Sequence, residues 1–189
     1  MADTPILPTT EIDAVNMMIA TIGMAPATSL EVEDVDVQQA IEKLRDISRQ
    51  VQSQGWDFNT EKDYPLSPDT DGIIAVPPNI VTVKVAHHSF WPNAQDIVVR
   101  AGKLYDRKAH SNVFTAPIKA TVVMLFDFED LPQVARTYIA VRASRVYADN
   151  AEGLADAHTF SQGDEMTAWM ALQNYEAETG DYRLSTRIN

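Results

Sequence analysis

The chain of 189 residues has no cysteine, which excludes disulfides, thiolate nucleophiles and cysteine-ligated zinc or iron. That absence fits synthesis in a reducing compartment. No apolar stretch approaches the roughly 20 residues of a membrane span. The opening residues, MADTPILPTTEID, lack the basic head and apolar run of a secretory signal. Assembly in the cytoplasm, away from any membrane, is therefore expected. Glycine is scarce, with seven residues scattered as punctuation, so there is no phosphate-cradling cluster and no G-x-S-x-G elbow. Base is scarce at both ends. Residues 1–42 hold eight acids and no Lys or Arg; residues 149–189 hold eight acids against Arg183 and Arg187; the middle, 43–148, holds eleven acids and thirteen bases. A chain of net charge −12 gains nothing from counterion release on a phosphate backbone, which argues against a module that grips nucleic acid. The acid reads as solvated surface.

What is present begins with the stretch from Ala40 to Glu61. Val37, Ala40, Leu44, Ile47 and Val51 recur every three or four residues, the seam of a helix packed on one side, with Glu42, Asp46, Arg49, Gln50 and Ser53 on the wet side. Gly55 should end that helix, and Trp56, Phe58 and Tyr64 predict an aromatic strand directly after it. A first helix is expected from Glu11 to Ile22, opened by the capping pair Thr10 and Asp13, striped by Ile12, Val15, Ile19 and Ile22, and closed by Gly23. From Asp63 to Phe128 the period becomes two. Val81, Val83 and Val85 alternate with Thr82, Lys84 and Ala86. Ile97–Arg100 and Lys103–Asp106 flank Ala101 and Gly102 as a hairpin, and Ile118 to Phe128 makes the longest alternating face. Helical text resumes at Asp130, with Pro132 in the first turn and two apolar rows: Ala135, Ile139, Ala143 and Val146, then Val134, Tyr138 and Val141. A last helix is expected near Asp164–Thr179, ending before Gly180. The pattern defines an α+β chain: a helical bundle formed by both ends, residues 1–62 and 129–189, around a β-rich insertion of about four strands, residues 63–128.

The chemistry-bearing residues assemble into no site. Asp69-Thr70-Asp71-Gly72 opens like a calcium loop, but the later ligand positions fall on Ile73, Ile74 and Ile80, so it reads as a turn. His87 and His88 are neighbours on a strand and leave opposite faces; His110 and His158 stand alone. Glu129 and Asp130 are adjacent, whereas a glycosidase pair needs carboxyls roughly 5–9 Å apart; capping by Asp130 explains them more simply. Arg145 and Asp149 are placed to pair at i,i+4. The run Glu31, Glu33, Asp34 and Asp36 reads as a hydrated face, with a dock for a basic partner as the sharper alternative. No catalytic, cofactor-binding or metal-binding residue is assigned.

Five blocks in order carry a resemblance: AVNMMIATIGMAP with TSLE at 14–31, RQVQSQGWDFNTE at 49–61, GKLYDR at 102–107 and DFEDLPQVARTYIAVRASR at 127–145. They resemble the tail tubular protein A family of short-tailed bacteriophages, the head-to-tail adaptor or gatekeeper, over about residues 12–149, and the likeness fades beyond Asp149. The resemblance implies a structural virion protein. It would form a homo-oligomeric ring, usually of twelve copies, between the portal protein and the tail nozzle protein, with double-stranded DNA passing through its centre unbound. It implies a place in the virion tail and no cofactor. The two apolar rows of the helix after Pro132 suit a subunit covered on both sides. The competing class is a tail-associated polysaccharide or peptidoglycan hydrolase, which only the acid-rich segments favour.

Overall fold

The first helix, α1 (Glu11–Ala20), starts where the capping pair places it. The Thr10 hydroxyl accepts from the Asp13 N–H at 3.3 Å, and the Asp13 carboxylate accepts from the Thr10 N–H at 2.9 Å. Two of the orphan donors of a helix start are thereby satisfied. At the other end Gly23 takes φ +78°, and the N–H groups of Gly23 and Met24 return to the carbonyls of Ala20 and Ile19. That Schellman closure explains why the regular helix stops two residues short of Ile22. Its buried residues are Ala14, Val15, Met18 and Ile19, while Ile12 and Ile22 are half-buried. The apolar arc of α1 is wide, and packing against a neighbouring helix selects its centre.

The computed structural model describes residues 7–31, 33–85, 96–150 and 162–185. His87, His88, His158 and Ala86 lie outside them. Its contacts separate two compact units, Met1–Val51 with Asp127–Asn189, and Gln52–Phe126. The helical unit also holds α2 (Val35–Gln52, up to Val51), α3 (Gln133–Asn150) and α4 (Gln162–Ser185). Helix α2 buries Val37, Ala40, Leu44, Ile47 and Val51 and leaves Glu42, Asp46, Arg49 and Gln50 exposed, as its period dictates. Asp34 caps it, its carboxylate accepting from the N–H groups of Asp36 and Val37. Helix α3 begins at Gln133, three residues later than the text at Asp130 suggests. Leu131 precedes proline and is held extended, which confines 128–130 to a single 3₁₀ turn. Helix α4 runs through Gly180 instead of ending there. One internal glycine costs about 1 kcal/mol relative to alanine, too little to break a helix packed along one face.

In the second unit, β1 (Thr60–Leu66), β2 (Ile80–Val85) and β5 (Ile118–Met124) form an antiparallel sheet in the order β1-β5-β2, and β3 (Ile97–Arg100) pairs with β4 (Lys103–Asp106) in a second sheet. Among the described residues five strands thus stand where about four were expected. The β3–β4 turn is the predicted one, with Ala101 at φ 50° and Gly102 at φ 71°, the two left-handed residues of a type I′ turn. Two readings need correction. Trp56 and Phe58 lie on the 3₁₀ turn at and before Asp57–Asn59, not on a strand, with their rings parallel at 6.4 Å. The valines of β2 do not share one buried face: the register shifts between Ile80 and Thr82, and Val81 is left 43% exposed, the usual effect of a bulge. Ile118, Ala120, Val122 and Met124 of β5 do line one core, shared with Leu66, Ile74, Ile97, Leu104 and Phe114, but the expected face stops short of Phe128: the strand ends at Met124, Phe126 packs against the core from beyond it, and Phe128 lies on a 3₁₀ turn of the helical unit.

The ends of this unit are clamped together. The Gln52 side chain accepts from the Phe126 N–H at 2.8 Å and donates to the Phe126 carbonyl at 3.1 Å. Buried Asn59 donates to the carbonyls of Gln52 and Met124 at 2.8 and 2.7 Å and accepts from the Trp56 N–H at 2.9 Å. Asn59→Ala strands several buried polar groups at once and is expected to destabilise the protein by about 2–4 kcal/mol, read as a lower urea midpoint. Asp13 gives a pH-dependent prediction. The Thr10 hydroxyl and N–H hold its carboxyl below the ordinary range, so its contribution is present above the unfolded value and disappears as pH falls through the depressed folded value. Asp13→Asn should therefore flatten the acid limb of stability against pH and leave Thr10 as the cap, checked by unfolding midpoints across that limb.

Candidate assembly surface

Helix α3 is buried around most of its girth, at Ala135, Tyr138, Ile139, Ala140, Val141, Ala143, Ser144, Tyr147 and Ala148. Both expected apolar rows exist, with Val134 and Val146 half-buried at their edges. Their covers are α1 and α4 of the same chain. The two-sided character of this helix therefore needs no second subunit, which corrects the inference drawn from it above.

The polar residues of α3 fasten those covers. Arg145 and Asp149 pair at 2.7 Å, as their spacing predicts, and Arg145 also bonds Glu165 of α4 at 2.5 Å. The Glu165 hydrogen bond, opposed by partial burial and followed by the charges of Glu165 and Asp149, raises the Arg145 pKa. Arg142 donates to the Tyr138 hydroxyl at 2.9 Å, and the Tyr138 ring meets Trp169 at 5.1 Å. Glu165 lies 20 residues beyond Arg145, and no periodicity in the text connects them.

The adjacent acids Glu129 and Asp130 have a structural explanation, and it differs from the expected one. Glu129, not Asp130, acts at a helix start, and it gives α1 a second cap beside Thr10: its carboxylate accepts from the Glu11 N–H at 2.8 Å. Arg45 of α2 then holds the Glu11 carboxylate at 2.8 Å, and that hydrogen bond raises the Arg45 pKa. Arg136 adds donors to the carbonyls of Leu131 and Thr9 at 2.7 and 2.9 Å and to the carbonyl of Glu129, and Gln133 accepts from the Thr9 N–H at 2.9 Å. The cap is invisible in the sequence because acid and helix start are 118 residues apart.

The other candidates resolve singly. Asp69 accepts from the N–H groups of Asp71 and Ile73, and Gly72 takes φ +79°, which is the turn expected of that segment. His110 sits in a tight turn at φ 50°. Among the described residues no three His, Asp or Glu side chains come close enough to hold a metal ion. Within the acidic run, Asp34 is the α2 cap and Asp36 borders a groove of about 290 Å³ with Glu42, Asp46, Lys43 and Tyr147. The Tyr147 hydroxyl donates to the Asp36 carbonyl at 3.0 Å. Burial first, then Asp36 and Asp34, push that phenol up, so it remains a neutral donor.

The distribution of charge is more telling than any pair. The helical unit holds 20 acids and 8 bases, and the β unit 7 of each. All of the net charge of −12 therefore resides in the helical unit. This is a scaffold whose features are caps, clamps and surfaces, and among the described residues no helix is long and apolar enough to cross a membrane.

The sequence profile of the tail tubular protein family matches residues 12–182, and the chain belongs to that family, as a structural protein of a bacteriophage tail. The match extends past Asp149 and includes α4 up to residue 182. The chain is also similar to tail tubular protein A of Klebsiella phage KP34, at 28% identity over 183 residues, covering 94% of this chain and 95% of the relative. Glu129→Ala tests the structural explanation of the acids: it should cost about 0.5–2 kcal/mol, the range for a lost helix cap, and lower hydrogen-exchange protection at the start of α1.

Proposed function

We propose that this chain is one subunit of a ring-shaped adaptor, of twelve copies in its working form, that joins the portal of the phage head to the tail nozzle and lines part of the path of the ejected DNA. The single observation that carries this reading is the family match across residues 12–182, which takes in both helical segments and the β unit between them. The helical and β units would then be separate domains, assembled into the ring in the host cytoplasm.

The charge pattern supports a conduit. Each phosphate neutralised by Lys or Arg adds salt-dependent affinity and therefore drag on a sliding duplex. A helical unit with 20 acids and 8 bases would repel the duplex instead. The proposal is tested by electron microscopy of the purified protein, alone and mixed with its portal. Closed rings with an axial hole wide enough for a duplex are expected, seated on the portal. Persistent monomers that never join a portal, or release of sugar from envelope glycan by the wild-type protein, would count against it.

A further inference from the structure

Among the described residues helix α4 buries side chains along one face. Ala168 and Leu172 are buried there, and Glu165, Trp169, Tyr175 and Glu176 are half-buried beside them. The opposite face carries Met166, Met170, Gln173 and Ala177 in one row, at spacings of four, three and four residues, all exposed. Met166 is 58% and Met170 55% accessible. Thr167, Ala171 and Asn174 flank the row. Between Met166 and Ala177 the exposed face therefore bears no charge over about 16 Å, at 1.5 Å per residue. In α2 the exposed face instead carries Asp36, Glu42, Arg45, Asp46 and Arg49.

We infer that this face of α4 is where a second copy of the same chain docks in the assembled ring; the inference rests on the ring reading above and assigns that ring a surface. Two properties select the occupant. The first is charge. The helical unit carries the whole net charge of −12, so two copies meeting through most of its surface bring carboxylates together, and like charges juxtaposed across an interface are strongly unfavourable. The Met166–Ala177 row lets another copy approach without that repulsion. The second is composition. Interface centres are enriched in Met and depleted in Asp, Glu and Lys, and unbranched methionines adapt to an irregular partner surface. In a closed ring the contact is heterologous, so the row meets a different patch on the next copy.

The test uses the full chain, mixed with portal. Met166→Glu with Met170→Glu places two carboxylates on the exposed row without touching the α3-facing side. The double variant is expected to keep the wild-type helical circular dichroism and melting temperature and to lose ring assembly. A second measurement exploits the absence of cysteine: Met170→Cys is the sole thiol and is labelled with a benzophenone maleimide. On illumination of assembled particles it should give chain-to-chain adducts in a ladder. Rings formed by the double variant at wild-type yield, adducts to portal alone, or adducts confined within one chain would each overturn the assignment. If wild-type protein forms no ring, the ring reading fails; if wild-type rings form and the double variant assembles equally well, only the α4 assignment fails.

Discussion

Closure of the β unit depends on one buried polar cluster. A segment that leaves a helix at Gln52 and returns at Phe126 must bring its two ends together before the chain can resume helical structure. The Gln52 side chain meets that requirement by taking both the N–H and the carbonyl of Phe126. Asn59 then bridges the carbonyls of Gln52 and Met124. Side-chain amides suit this place because each offers a donor and an acceptor, and backbone groups buried here without partners would cost more than the bonds gain. With the ends closed, β5 can lie between β1 and β2 and carry the shared core of Ile118, Ala120, Val122 and Met124.

The helical unit solves the same problem with charge. Its first and last helices come from opposite ends of the chain, and residues 9–11 are tied to residues 129–136 through Glu129, Gln133 and Arg136. Helix α3 is the strut between α1 and α4, with Arg145 and Glu165 fixing α4 at its start. Glu129 and Glu165 are thus spent on a helix cap and an ion pair, and Asp34 of the acidic run on the cap of α2. The remaining exposed acid gives the unit its charge, which keeps such a surface solvated.

Much of this was legible in the residues. The Thr10–Asp13 box, the α2 seam, the Ala101–Gly102 turn and the β5 face up to Met124 are local patterns, each set by neighbours within a few positions, and the structure holds them where the text places them. The family was legible too: all five blocks fall within the residues 12–182 that the family profile matches. Other readings failed for identifiable reasons. Residues 56–59 form a turn because Asn59 bonds the Trp56 N–H, a contact that aromatic content does not announce. The bulge at Val81 depends on the register of β2 against β5, and Gly180 stays helical within α4 because one internal glycine is too weak a breaker.

The sequence by itself determined the order of helices and strands, the α+β class, the excess of acid and the family, because periodicity, capping and turn chemistry act over a few residues. Only the tertiary structure decided what the charged and apolar side chains are for. Glu129 became the cap of a helix 118 residues away, Glu165 became the partner of Arg145, and the two apolar rows of α3 were consumed by α1 and α4. That left Met166 and Met170 as the exposed row. The physical reason is common to all of them: burial and pairing are set by which surfaces meet in space, and a pattern one helix long cannot specify its partner.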